Sequence, residues 1–186
     1  MRIITGTTKG KRLKTLEGEL TRPTSERMKE AIFSAIQFDL EERTVLELFA
    51  GCGQLGLEAL SRGAKSAMFV DASNDAIAIV KQNAQTTDFF SLSRFLTSDY
   101  RNYIRKASGR EGFDLVFIDP PYAMECSLDA AKRLAEAGLL RSGAIVVLES
   151  GEEEIDAAAL SGFEVQKETQ YGKKTALRIL LYRGED

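Results

Sequence analysis

The run Thr44-Val45-Leu46-Glu47-Leu48-Phe49 leads into Ala50-Gly51-Cys52-Gly53-Gln54-Leu55-Gly56 and then Leu57-Glu58-Ala59-Leu60-Ser61-Arg62. No other stretch constrains the fold as much. The first run reads as a buried strand and the last as a helix. Between them Gly51, Gly53 and Gly56 form G-x-G-x-x-G, in the strand–turn–helix context that lets this motif bind a ligand. Glycine permits the positive φ of a tight turn and lets a ligand approach the backbone. Asp71 closes the next apolar run, Ala67-Met68-Phe69-Val70, at roughly the 20-residue offset where an acid meets a ribose. A carboxylate there can accept hydrogen bonds from both ribose hydroxyls. A dinucleotide and S-adenosyl-L-methionine (SAM) both present such a ribose, so these residues alone do not separate them. A glycine turn that merely packs helix on strand is the alternative without a ligand.

Asp119-Pro120-Pro121-Tyr122 follows Leu115-Val116-Phe117-Ile118, a run with the length and β-branched content of a buried parallel strand. Two of the three prolines in the chain stand here side by side. Proline has no N–H and pushes the preceding residue to extended geometry. The turn therefore offers carbonyls and a carboxylate with no donor from Pro120 or Pro121. Such an acceptor-only pocket suits a group with two N–H donors, such as the exocyclic amine of a nucleobase, and Tyr122 adds a surface for stacking. A turn whose prolines only stop a strand is the simpler alternative. Glycine turn after strand one, acid after strand two and Asp-Pro-Pro-Tyr after strand four are expected at the carboxyl edge of one sheet, where open α/β folds bind ligands. A nicotinamide dehydrogenase has no evident use for Asp-Pro-Pro-Tyr, and the chain contains no histidine. The combination points to methyl transfer onto an amine.

The remaining pattern predicts alternating strands and helices. Met1 to Leu16 reads as a small β-ribbon around Gly6 and Gly10, and Thr24 to Phe38 as a helix with a stripe of Met28, Ala31, Ile32, Ala35 and Ile36. Thr24 or Ser25 could cap it. Helices are expected over 74–84, 100–106 and 128–137, and strands over 93–97 and 143–149. A closing hairpin is expected from 163–169 and 175–182 around Gly172. At 186 residues the chain fits one core. No apolar segment could span a bilayer and no basic-then-apolar leader is evident, so the expectation is a cytoplasmic protein with no membrane partner. Two cysteines, Cys52 and Cys126, without histidine argue against a metal site and give no disulfide framework.

The order F-A-G-x-G-x-L-G-x-E-A-L-S-R-G from Phe49 to Gly63, followed by D-P-P-Y, resembles the RsmD family of bacterial ribosomal RNA methyltransferases. Arg2-Ile3-Ile4-x-Gly6 with Gly10, Arg22-Pro23-Thr24 with Arg27, and Tyr171-Gly172 fit the same pattern. The likeness spans nearly the whole chain and is weak over 86–110. Cys52 stands where the family often has serine. The resemblance implies an α/β, Rossmann-like SAM-dependent methyltransferase fold. Its seven-stranded sheet would be mostly parallel with an antiparallel last strand, preceded by an N-terminal β-ribbon and helix. It further implies an RNA-binding extension over 1–40, a methyltransferase domain over 41–186, and methyl transfer to N2 of a guanine in 16S rRNA. SAM would lie by Phe49, Ala50, Gly51, Gly53 and Gly56, with its ribose on Asp71 and its adenine amine on Asp99. Ala72 and Ser98 would shape that pocket. Asp119, Pro120, Pro121 and Tyr122 would form the catalytic turn. Asp99 could instead cap the next helix.

The formal charge of −3, taken alone, opposes an RNA partner. Residues 1–29, however, carry eight cations against three acids, a net of +5 that leaves −8 elsewhere. A charge run is usually a solvated face; with the family likeness, Arg12, Arg22 and Arg27 become the expected RNA contacts. The expected partner is 16S rRNA within an assembling 30S subunit, with a monomer as the default state. Rival readings are an amino-methyltransferase acting on a DNA base or a glutamine side chain, a nucleotide-binding oxidoreductase, and a non-catalytic RNA-binding module.

Overall fold

The computed structural model describes residues 1–16, 26–110, 112–121, 126–150, 161–171 and 175–184. Seven strands form one sheet in the order β3-β2-β1-β4-β5-β7-β6. They are β1 (Thr44–Leu48), β2 (Ser66–Asp71), β3 (Ser93–Thr97), β4 (Phe113–Ile118), β5 (Leu140–Ser150), β6 (Phe163–Tyr171) and β7 (Thr175–Tyr182). Five α-helices accompany them: α1 (Glu26–Ala35), α2 (Gln54–Ser61), α3 (Asn74–Thr86), α4 (Tyr100–Ala107) and α5 (Ser127–Glu136). β1 pairs parallel with β2, β2 with β3, and β4 with β5, whereas β7 runs antiparallel to both β5 and β6. This is the Rossmann-like arrangement expected from the strand–helix alternation, antiparallel strand included.

The chain divides into two compact units, residues 1–99 and 100–186. In the first, Val45, Leu46 and Leu48 of β1 and Phe69 and Val70 of β2 are buried. Buried on both faces, such strands read as continuous apolar runs. α2 is buried at every position from Gln54 to Ser61. The amino-terminal ribbon is present in reduced form. One antiparallel bridge joins Arg2 to Arg12, flanked by the Ile3 amide donating to the Lys11 carbonyl and the Leu13 amide to the Met1 carbonyl. Gly6 explains why the ribbon lies so close to α2. Its φ is +92°, and a Cβ there would sit 1.8 Å from the Ser61 carbonyl oxygen. In the second unit, β4 and β5 bury Leu115 to Ile118 and Ala144 to Leu148, and α5 lays Ala130, Ala131 and Leu134 into the core.

Several expectations need correcting. α1 ends at Ala35 rather than Phe38, and Ala35 is exposed. The buried stripe is Met28, Lys29, Ile32 and Phe33. Lysine enters an apolar face because its ammonium finds Glu58 Oε2 at 2.8 Å and the Arg2 carbonyl at 2.9 Å. α2 starts at Gln54, three residues earlier than its apolar pattern indicates, and β5 starts at Leu140 rather than Gly143. The caps expected from Thr24 and Ser25 and the hairpin turn at Gly172 lie outside the described residues.

Candidate active site

β1 ends where Phe49 turns into left-handed geometry, at φ 59°, with Gly51 at 54° and Gly53 at 76°. The Gly53 amide donates to the Ala50 carbonyl at 2.7 Å, closing the turn, and the Ala50 amide reaches the Val70 carbonyl of β2. Glycine is required at 53 on two counts. Its φ is one that side-chain-bearing residues avoid, and a Cβ would meet Val80 Cγ1 at 2.8 Å. At Gly51 only the backbone angle matters, because the nearest atom to a Cβ there is the Phe49 carbonyl oxygen at 4.0 Å. That open side is where a ligand can approach the main chain.

The Asp71 carboxylate is fixed from two directions. Oδ2 accepts the Gly51 amide at 2.9 Å and Oδ1 accepts the Ser73 amide at 2.8 Å. A carboxylate has about four acceptor positions, so each oxygen can still accept a hydroxyl, and the half-buried residue is within reach of one. The Ser98 amide donates to the Asp71 carbonyl at 2.8 Å. Gly51, Asp71 and Ser98 are thus drawn into one constellation at the carboxyl ends of β1, β2 and β3. Ala72 and Asp99 are exposed beside it in the chain. Asp99 immediately precedes α4.

Gly56 does a different job from the one the motif suggests. It is buried, its amide donates to Glu47 Oε2 at 2.8 Å, and a Cβ would meet Phe69 Cε1 at 2.6 Å. It lets α2 lie against β2, and its amide is committed to the protein. Glu47 itself, 3% exposed, also accepts the Leu55 amide at 3.2 Å. A buried carboxylate on the first amides of a helix complements the positive end of the helix dipole. Those two amides are therefore not free for a phosphate group at the helix start.

Three polar residues of this site carry no motif. Glu47 is one, visible only as an acid inside an apolar run. Gln54 is another: its Oε1 is buried without a hydrogen-bond partner among the described residues. Asn83, 1% exposed, is the third. Its Nδ2 donates to the Cys52 carbonyl at 2.8 Å and to the Lys14 carbonyl at 3.0 Å, while Oδ1 accepts the Lys14 amide at 2.8 Å. Burial, then the Glu47 charge, pushes the Cys52 thiol up to about 11, so Cys52 is a neutral thiol and no nucleophile.

In the second unit, Asp119 and Pro120 follow β4 as half-buried residues and Pro121 is exposed. Behind them Leu115, Val116, Phe117 and Ile118 are essentially fully buried, a rigid base for the turn. Tyr122 lies outside the described residues, as does Arg22. Arg12 and Arg27 are exposed and form no ion pair with a described residue. Three further cations of the basic segment are more committed. Arg2 pairs with Glu26 at 3.1 Å, Lys11 with Asp88 at 2.6 Å, and Lys29 is buried on Glu58. The surplus of charge over 1–29 therefore overstates what this segment can offer to a phosphate.

A family model described as "Conserved hypothetical protein 95" matches residues 1–180. The chain belongs to the RsmD family. YlbH of Bacillus subtilis is 39% identical over 147 residues, covering 75% of this chain and 80% of that protein. The "Ribosomal RNA small subunit methyltransferase D" of Haemophilus influenzae is 32% identical over 151 residues, 81% of this chain and 78% of the relative. Among solved structures, yhhF of Escherichia coli superposes with a TM-score of 0.86 at 27% identity, over 100% of this chain and 99% of the other. Methyltransferases solved with S-adenosylhomocysteine share the RsmD fold at much lower identity.

Proposed function

We propose that this RsmD-family chain is an rRNA methyltransferase that uses SAM and transfers its methyl group to the exocyclic N2 of a guanine in 16S rRNA. Glu47 carries the choice of cofactor. Its carboxylate occupies the α2 amides that a pyrophosphate would need, and a second negative charge at that point would be repelled. SAM brings no phosphate and bears cationic groups. Asp71 suits its ribose hydroxyls, and the open side of Gly51 suits main-chain approach. Asp99 and Ser98 would meet the adenine, with Ala72 alongside. Phe49, Ala50 and Gly53 shape the loop. This arrangement disfavours the nucleotide-binding oxidoreductase.

When bound, SAM supplies an electrophilic methyl on a sulfonium, which is itself a good leaving group. The chain has to hold and orient the amine. The guanine N2 lone pair is delocalised into the ring, so the nitrogen is a poor nucleophile. Accepting its two N–H bonds at the Asp119 carboxylate and the Pro120 carbonyl favours a pyramidal nitrogen with a directed lone pair. Pro120 and Pro121 bring no competing donor. The fixed carboxylate also stabilises positive charge as it develops on nitrogen, and the acidic ammonium product then loses a proton. Tyr122 would stack on the base, which must be unpaired or extruded to reach the turn.

Residues 1–40 would serve as the RNA-binding extension of a methyltransferase domain over 41–186. Arg12, Arg22 and Arg27 would meet the phosphates of an assembling 30S subunit in the cytoplasm, with the enzyme acting as a monomer. The test is transfer of tritiated methyl from SAM to 30S particles, 16S rRNA and duplex DNA from a strain lacking the gene, followed by nucleoside analysis. Label in N2-methylguanosine supports the proposal. Label in DNA bases keeps the chemistry and overturns the substrate.

A further inference from the structure

We infer that Asn83 is a positioning residue that makes the amino-terminal arm part of the cofactor site. The inference rests on the reading of the Gly51–Gly53 loop as the cofactor loop and goes beyond it, since it concerns how that loop is held.

Three observations converge. First, the loop carbonyl of Cys52 has a buried partner, the Asn83 amide, at 2.8 Å. Second, the same amide group bonds both the N–H and the carbonyl of Lys14, at 2.8 and 3.0 Å, as a neighbouring strand would. Third, the arm around Lys14 is stitched to α3 on either side of the exposed Arg12. Lys11 Nζ reaches the Thr86 carbonyl at 2.7 Å and Lys14 Nζ reaches Gln82 Oε1 at 3.0 Å. Arm, helix and loop thus converge on one side chain with almost no exposed surface. A buried amide that loses one partner leaves donors unpaired, so arm and loop favour their docked positions together. Residues 1–14 then help to hold the loop for SAM as well as presenting Arg12 to RNA.

The test measures SAM affinity by calorimetry on the full chain, with steady-state kinetics and melting curves. Asn83→Ala should bind SAM about tenfold more weakly and raise KM for SAM, while kcat at saturating SAM stays close to wild type. A second variant, Lys14→Pro, cuts the bond from the arm side. It removes the N–H that reaches Asn83. Position 14 is not part of the loop, so weaker SAM binding by Lys14→Pro is the result specific to the clasp. A folded Asn83→Ala chain with wild-type SAM affinity overturns the inference; if that variant does not fold, wild-type affinity in Lys14→Pro overturns it. Gly51→Val separates the two readings. Loss of SAM binding there alongside normal binding in both clasp variants overturns only the clasp. Normal binding in Gly51→Val overturns the cofactor-loop reading itself.

Discussion

The proposed mechanism asks little chemistry of Asp119. In that mechanism a charge held in place suffices, and the two prolines after it contribute no N–H of their own. Asp119→Asn keeps the shape and loses the charge, so turnover should fall by about 10²–10³ while calorimetry shows unchanged SAM binding. Turnover near wild type would remove Asp119 from the mechanism. In the loop, Gly53→Ala forces a Cβ to within 2.8 Å of Val80 Cγ1 at a φ of 76°. Urea denaturation should show a loss of about 1–3 kcal/mol. At this scale the sequence discloses residues whose chemistry requires a fixed spacing, which is why Gly51, Gly53, Asp71 and Asp119 stand out. Glu47, Gln54 and Asn83 are single polar residues within apolar or amphipathic runs. Asn83 matters through a partner distant in sequence, Lys14, and Glu47 through the amides of the helix that follows its strand, and no local pattern encodes either.

Among the elements, legibility varies. β3 and β7 match their expected limits, because an apolar or alternating run ends where its burial ends. The helix starts at Asn74 and Tyr100 match as well, whereas that of α2 does not. α2 begins at Gln54 because Glu47 satisfies its first amides from the neighbouring strand, which an apolar stripe does not reveal. The buried face of α1 keeps Met28 and Ile32 of its apolar stripe but takes in Lys29 as well. Lys29 belongs to the core through a charge located on another helix. Glu58 answers it while also accepting the Ile4 and Thr5 amides and pairing with Arg62. Lys29→Met should therefore cost about 3 kcal/mol in equilibrium unfolding, the low end for stripping a buried pair, because Arg62 remains beside the carboxylate. A neutral effect would mean that Glu58 takes up a proton when its lysine is gone.

For the molecule as a whole, charge bears on stability and, under the proposed function, on the RNA partner. Burial works to raise the Glu58 pKa, but Lys29, the Ile4 amide and Arg62 prevail and hold it below its ordinary 4.5. Arg133 leads the groups that bring Asp129 from 3.8 down to about 2, against the opposing effect of burial. Both folded-state values are depressed. Each carboxylate therefore contributes stability in full above its unfolded value, and that contribution fades as pH falls through 4.5 and on towards 2. Chemical denaturation across this window should show a falling midpoint, with Glu58→Gln flattening its upper part. For RNA, each of Arg12→Ala and Arg27→Ala should reduce the slope of log affinity against log salt by about 1, whereas Arg2→Ala, already paired with Glu26, should change it less. The Lys29 amine has a use beyond this electrostatic account. With no side-chain surface exposed and the Arg2 carbonyl as one of its partners, it is shielded from acylating reagents while the arm is docked. Mass spectrometry of a labelled sample would find position 29 silent beside reactive surface lysines, and acylation there would be a chemical clock for the arm lifting away.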